Sequence, residues 1–412
     1  MYTEQTHRFK NLWHRWHQFL RRKFRYLDLW TISIVIGLMV FGCVMVYTAS
    51  TNMASGSAGS FLRKQAFFAV FASIVMLIIF MLKIKWQSRA YRQFVVCIVL
   101  LLIGLLAITR LFGPVTSGAH GWLYLGGFGF QPVEYFKTAL ILWFAMRFAK
   151  LYTHPWYGKA SSFFSQVIRM NIWGLPLIGF AFTLSMPDMG GALILMTIGT
   201  VMALVAGISP LFVVITIIAV AVLILGLASL VPFFVSLHLL QPYQALRFES
   251  FLDPWQAGDA GHQLINSYYA LSNGGWFGRG LGNSIQKLGL LPEPNTDFIM
   301  AIVGEELGVV TIWVILGLFA VLIIRLVLFG ISTKNIQYRL ILLGTASYIT
   351  VQILVNLGGV TGLLPITGVT FPLISYGGSS LLSWGLTFGL VLNVIGCIRR
   401  EQDGIERSQH GF

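Results

Sequence analysis

Apolar stretches of roughly 20 residues, each long enough to cross a bilayer as a helix, recur from one end of this chain to the other. Backbone groups in lipid must be paired within the protein, which leaves only helices or a closed barrel. The runs are continuous rather than alternating, so helices are expected. They read as about 28–48, 63–82, 93–112, 132–152, 170–186, 189–207, 210–237, 298–326, 337–358 and 377–398. Composition agrees, at 56% hydrophobic and 10% charged residues, against about 25% charged in soluble proteins. The expected fold is all-α, a polytopic integral membrane protein with about ten transmembrane helices and one large extracellular loop at about 241–297. Residues 28–398 would form a single membrane domain between a basic N-terminal tail (1–27) and a short C-terminal tail (399–412). The two halves of the chain show no convincing repeat.

The net charge of +14 raises nucleic acid as a partner, but its distribution argues against that class. With the N-terminus in the cytoplasm, 21 of the 28 Lys and Arg fall on or near the cytoplasmic side. The excess is a topology signal, and an even number of spans puts both termini inside. The turn near 207–210, assigned inside, carries no Lys or Arg. The first 26 residues, with Trp13, Trp16, Arg21, Arg22 and Lys23, lack the pattern of a cleaved signal peptide. They read as an interfacial helix on the anionic inner leaflet or as a disordered basic tail. Cys43, Cys97 and Cys397 lie within or at the ends of apolar runs and offer neither a disulfide framework nor metal spacing.

Function in such a chain is sought where the apolar pattern fails. One break runs from Ser117 through Trp122 to Gln131-Pro132-Val133-Glu134 and Lys137. Pro132 suits a helix start, which puts Glu134 and Lys137 on one helical face inside the membrane boundary. They are either a self-neutralising pair or a polar wall facing a cavity. Trp122 reads equally as an interfacial anchor or a substrate contact. A second break, Ser185-Met-Pro187-Asp188-Met-Gly190-Gly191, suits a turn with Asp188 capping the next helix.

The long segment 241–297 holds Asp253, His262 and the run Asn273-Gly-Gly-Trp276-Phe-Gly278-Arg279-Gly280-Leu-Gly282-Asn283. The glycines are not a nucleotide fingerprint, because no strand precedes them. The segment ends on Leu291-Pro-Glu293-Pro-Asn295-Thr-Asp297-Phe, with Glu305 and Glu306 soon after. Asp297 could cap the following helix or act as a general base at the membrane boundary. The last break spans Gly358–Gly368 and Pro372–Ser380, where Gly377-Gly-Ser-Ser380 would allow close helix packing. No His or Cys cluster suggests zinc, and there is no Walker A sequence.

These blocks together closely resemble the SEDS family (shape, elongation, division and sporulation) over nearly the whole chain. The most specific are Asn273–Asn283, Leu291–Phe298 continuing through Gly304-Glu305-Glu306-Leu-Gly308, and Leu364–Gly368 through Ile374–Ser380. Two positions depart from the family pattern. Val133 stands where a Ser is usual, which excludes a catalytic hydroxyl there, and Met186 and Met189 flank Pro187-Asp188. The resemblance implies a ten-helix glycosyltransferase of the bacterial cytoplasmic membrane that polymerises lipid II, at the division septum if it is of the division type. The Asn273–Asn283 stretch and Gln286-Lys287 look more like the division-type branch than the elongation-type one, the nearest alternative. It also implies a class B penicillin-binding protein as partner, Asp297 as the catalytic residue, and Glu134 and Lys137 in the same cavity.

The chemistry expected is one inverting displacement of undecaprenyl pyrophosphate by an acceptor hydroxyl. Asp297 would take the proton. Lys137 would stabilise the leaving group, with Arg63, Lys64, Arg247 and Arg279 behind it. Trp122 and Ser375 are further candidate substrate contacts. The sequence leaves open whether a divalent cation, Mg²⁺ or Mn²⁺, shares this work. Two rival readings predict different outcomes. A lipid II transporter needs a path across the bilayer and little from a carboxylate at the outer face. A non-catalytic division scaffold needs the packing glycines and not Asp297.

Overall fold

The computed structural model describes residues 23–53, 56–114, 121–125, 128–152, 172–207, 250–258 and 261–409. Three helices come first: α1 (Leu29–Ala49), α2 (Ala58–Met81) and α3 (Arg89–Phe112). A short antiparallel hairpin follows, β1 (Leu123–Leu125) paired to β2 (Phe128–Phe130) with Tyr124 opposite Gly129. Then come α4 (Pro132–Tyr152), α5 (Gly174–Ser185), α6 (Met189–Val205), α7 (His262–Gly274), α8 (Ile299–Ser332), α9 (Ile336–Val360) and α10 (Gly378–Gln409). Six of them (α1, α2, α3, α8, α9 and α10) are long and apolar enough to cross a membrane. Nine of the ten expected spans coincide with helices; the tenth, 210–237, lies outside the described residues. The hairpin is an addition to the expected all-helical bundle, and α7 is a helix within the long 241–297 segment.

Helix starts follow local chemistry. Asp28, Ser88, Asp188 and Asn335 each accept from a backbone N–H of the first turn of α1, α3, α6 and α9, leaving fewer orphaned donors at those ends. The bundle's outer surface is apolar: Leu111, Phe112, Trp313 and Leu328 are all largely exposed. A surface like this suits acyl chains rather than water. α9 and α10 form the centre, with 67% and 72% of their apolar windows buried, against 22–39% for the other four.

The tightest helix pair is α2 against α10. A Cβ at Gly385 would lie 2.6 Å from the Ala72 carbonyl oxygen, and one at Gly389 would lie 2.9 Å from that of Met76. Small residues one turn apart let the backbones approach, as lipid-embedded helices require in the absence of a hydrophobic driving force.

The end of the bundle that carries the chain's cations is clasped by one carboxylate. Asp28, 1% exposed, accepts from Arg325 at 2.5 Å and from Arg399 at 2.6 Å, joining α1, α8 and α10. Arg399 also donates to the Leu27 carbonyl, and both guanidiniums lie over the Phe329 ring. Asn393 of α10 and Lys23 donate to the carbonyls that end α2, at Phe80 and Leu82. Replacing Asp28 with Asn removes the anion from between two guanidiniums. Breaking a buried pair in this way costs about 3 kcal/mol, so Asp28→Asn should lower the thermal midpoint of the solubilised protein by several degrees. An unchanged midpoint would show that the clasp carries little stability.

Candidate active site

The site is built around chain that is neither helix nor strand. Residues 361–377 join α9 to α10; the segment starts at the surface with Thr361 and Leu363 and passes into the protein interior, where Phe371 to Ser375 are all buried. Side chains supply the hydrogen bonds that a helix would otherwise make. Asn356 donates to the Val369 carbonyl at 2.7 Å and Gln352 to that of Thr370 at 3.0 Å. Gln65 of α2 donates to the Ser375 carbonyl at 3.1 Å and accepts from the Gly377 N–H. The Ser375 hydroxyl donates to the Thr296 carbonyl at 2.6 Å and accepts from the Phe371 N–H at 2.8 Å. Tyr376 N–H donates to the Asn295 carbonyl at 2.8 Å. On α1, Gly42 admits this segment: a Cβ there would lie 2.7 Å from the Ile374 oxygen.

Asp297 lies where the long loop meets α8. The N-cap position of α8 falls to Phe298, so Asp297 stands one residue before the helix. Asp297 is half-buried and lines a small cleft with Asn356, Gly359, Thr367 and Gly368. Its carbonyl accepts from the Asn356 amide at 2.8 Å, which fixes the backbone of this cleft-lining residue.

Below the cleft, α9 carries a polar ladder. Asn356, Gln352 and Tyr348 are spaced one turn apart, about 6 Å per step. Lys137 is 1% exposed, pairs with Glu134 at 2.6 Å and donates to Gln352 Oε1 at 3.4 Å. Its ammonium lies 5.4 Å from the centre of the Tyr348 ring, and the Tyr348 hydroxyl donates to Glu134 Oε2 at 3.5 Å. The ladder therefore places the Glu134–Lys137 pair on the same face of α9 as Asp297, one turn deeper. Sequence reasoning missed these three residues. Their i, i+4, i+8 spacing in an otherwise apolar run was the available signal.

The mouth of the long loop is held by a break in α8. At Gly308 the backbone leaves helical geometry (φ 83°, ψ 171°), and the freed groups pair with residues 275–280. Arg279 and Gly280 N–H donate to the Glu305 and Glu306 carbonyls, and Val309 and Val310 N–H to those of Gly275 and Trp276. Gly278 and Gly308 have no room for a Cβ, because each abuts the other segment's backbone. That explains the glycine run without a nucleotide. Glu305, fully buried, accepts from the Ser284 hydroxyl and from Ile285 and Gln286 N–H. Glu306 pairs with Lys287 at 2.8 Å.

The remaining candidates are dispersed. Arg63 and Lys64 are exposed near the start of α2, at the same end as the 375–377 segment that Gln65 and Phe61 touch. Arg279 is exposed on the far side of the α8 break. Trp122 is half-buried beside Gly129 of the hairpin, which Ser379 ties to the start of α10. Arg247 lies outside the described residues. Among the described residues, no three His, Cys, Asp or Glu gather to hold a metal ion.

Loss of the Asn356 amide would take a donor from the buried Val369 carbonyl, at about 1–3 kcal/mol, and from the half-buried Asp297 carbonyl as well. Asn356→Leu should therefore cut the heat stability of the solubilised protein severely, while Leu354→Ala, on the exposed face of the same helix, should leave it near wild type. Equal stability of the two variants would show that those carbonyls find other partners.

A central pair of helices, an internal irregular segment and a carboxylate at the loop–helix junction define a membrane enzyme of one family. The model of the FtsW/RodA/SpoVE cell cycle proteins matches residues 29–399, and the chain belongs to that family. It is 35% identical over 384 residues to a probable peptidoglycan glycosyltransferase FtsW of Trichlorobacter lovleyi, covering 92% of this chain and 96% of the relative. It is also 35% identical to stage V sporulation protein E of Bacillus subtilis, covering 89% and 96%. Among solved structures, a chain from a peptidoglycan synthase complex that coordinates polymerization and crosslinking aligns with TM-score 0.70 and 26% identity, over 90% of this chain and 98% of that one. The rod shape determining protein RodA of Thermus thermophilus shares the fold, with TM-score 0.62 and 24% identity over 90% and 96%.

Proposed function

We propose that this protein is a division-type peptidoglycan glycosyltransferase that polymerises lipid II, with Asp297 as general base. The observation that carries the reading is the position of Asp297: it lines a cleft at the start of α8, with its backbone pinned by Asn356. Family membership and the relatives named as glycosyltransferases support it. The acceptor sugar hydroxyl attacks the anomeric carbon of the donor, its proton passes to Asp297, and the C–O bond to the lipid pyrophosphate breaks with inversion. Pinning the base reduces the orientational cost of reaction.

Charge builds on the departing pyrophosphate. Lys137 lies one turn below the cleft and Arg63 and Lys64 at its end of the bundle, and together they supply positive potential. Glu134 holds the Lys137 ammonium in place. Asp297 is the one carboxylate among the described residues lining the cleft. Asp297 is the residue that would hold a divalent ion, Mg²⁺ or Mn²⁺, in this cleft. When bound, such an ion supplies further charge neutralisation.

The accompanying topology is ten spans in one membrane domain, with both termini cytoplasmic and residues 241–297 outside. The family match over 29–399 supports a single domain, and the lysines and arginines of the clasp support the orientation. The synthase-complex neighbour supports a class B penicillin-binding protein as partner, and the FtsW-named relatives support a place at the septum.

The test uses the purified protein with its cognate penicillin-binding protein, labelled lipid II, and moenomycin to silence unrelated transferases. Wild type should make glycan ladders. Asp297→Asn should lose at least the ~10²–10⁴-fold that general-base catalysis contributes, with folding and partner binding intact. Ladders from that variant at the wild-type rate would refute the assignment. Lys137→Ala should also slow synthesis; an unchanged rate would move the leaving-group role to Arg63 and Lys64.

A further inference from the structure

A second polar site lies at the opposite end of the bundle, between the start of α3 and the end of α4. It is a cavity of about 270 Å³ into which four cationic residues converge: Arg89 and Arg92 from α3, Arg147 and Lys150 from α4. No carboxylate lines it among the described residues. Arg147 is half-buried, with its guanidinium 4.3 Å from the centre of the Trp143 ring and its Nε buried without a hydrogen-bond partner. The like charges of Arg89, Arg92 and Arg147 round one cavity repel one another, and an anion there would relieve the repulsion.

The rest of the wall is apolar, formed by Val96 and Met146 among others. From Val96 and Cys97 the same face of α3 continues through Leu100 and Leu101, which are 49% and 62% exposed on the bundle's outer surface. That spacing, i, i+4 and i+5, gives an unbroken apolar track leading from the cations toward the middle of the bilayer. A phosphate-sized basic cavity opening onto an acyl-sized apolar track has the two halves of a phospholipid. We infer that this cavity binds the headgroup of an anionic glycerophospholipid in the leaflet on the basic, cytoplasmic side, with one acyl chain lying along α3. Basic pockets between helix ends on this side of a membrane suit such headgroups. The inference is independent of the catalytic reading, since none of these residues touches the Asp297 cleft.

The test is native mass spectrometry of the full-length protein titrated with phosphatidylglycerol, and with phosphatidylcholine of the same acyl chains. Two variants are compared with wild type, Arg92→Gln/Arg147→Gln and Arg89→Gln/Arg92→Gln. The second leaves the Trp143-stacked guanidinium in place, so it remains informative if the first fails to fold. Each cation lost should weaken retention about fivefold, so each double variant should hold phosphatidylglycerol about 30-fold less tightly. Phosphatidylcholine should not distinguish wild type from the variants, and inorganic phosphate should not displace phosphatidylglycerol. Equal retention of phosphatidylglycerol by wild type and the Arg89→Gln/Arg92→Gln variant would overturn the site. Full displacement by inorganic phosphate would make it a soluble-anion site and overturn the lipid assignment.

Discussion

The architecture depends on hydrogen bonding for a stretch of non-helical chain buried within the bundle. Irregular backbone at membrane depth survives only where protein or a water-filled cavity supplies its partners. Each orphaned polar group would otherwise cost several kcal/mol. Residues 361–377 meet that requirement with three side-chain amides, Gln65, Gln352 and Asn356, drawn from two different helices. The same amides therefore fix how α2 and α9 sit about the segment. Because α9 and α10 flank it in sequence, the two most buried of the six long apolar helices are organised by it as well.

The candidate site inherits this arrangement. Asn356 serves the segment and Asp297 with one amide, and Gln352 serves the segment and Lys137 with the other. A carboxylate at the surface and an ion pair in the interior are thus referred to one rigid helix face. The break in α8 contributes from the other side. A continuous helix through Gly308 would satisfy its own carbonyls; the broken one leaves them to Arg279 and Gly280, which anchors the long loop a few residues beyond Asp297. The buried Glu305 and the Glu306–Lys287 pair then hold residues 282–287 over the break. Carboxylates that receive several donors in a dry environment hold their partners in one arrangement.

Much of this is legible in the sequence, and what is legible follows from simple rules. Continuous apolar runs locate nine helices because lipid leaves the backbone no other choice, and Pro132 and Asp188 mark helix starts through their local chemistry. The importance of the 291–308 and 358–380 blocks is visible as interruptions of the apolar pattern. What those interruptions do is not visible. The sequence offers Ser375 as a substrate contact, yet its hydroxyl is committed to Thr296 and Phe371. The role of Gln65 depends on a partner 310 positions away, and no periodicity reports a contact at that separation. Helix α7 is hidden because its buried face, Leu264, Ser267, Ala270 and Gly274, is built mainly from small residues rather than strong apolar ones.

Both ends of the bundle bury ion pairs, but they differ in how the cations beside their cavities are partnered. At the end bearing Asp297, acidic and basic groups are paired before any ligand arrives: Glu134 with Lys137, Glu306 with Lys287. On the proposed reading, a site that releases a pyrophosphate gains from cations already partly neutralised, since tight binding of the product would slow its release. At the other end, Asp28 neutralises only the clasp, and the cations between α3 and α4 have no carboxylate among the residues that line their cavity. A cationic wall of that kind suits a ligand that stays bound. On the two proposed readings, turnover at one end and retention at the other would both follow from where this chain places its few acidic residues.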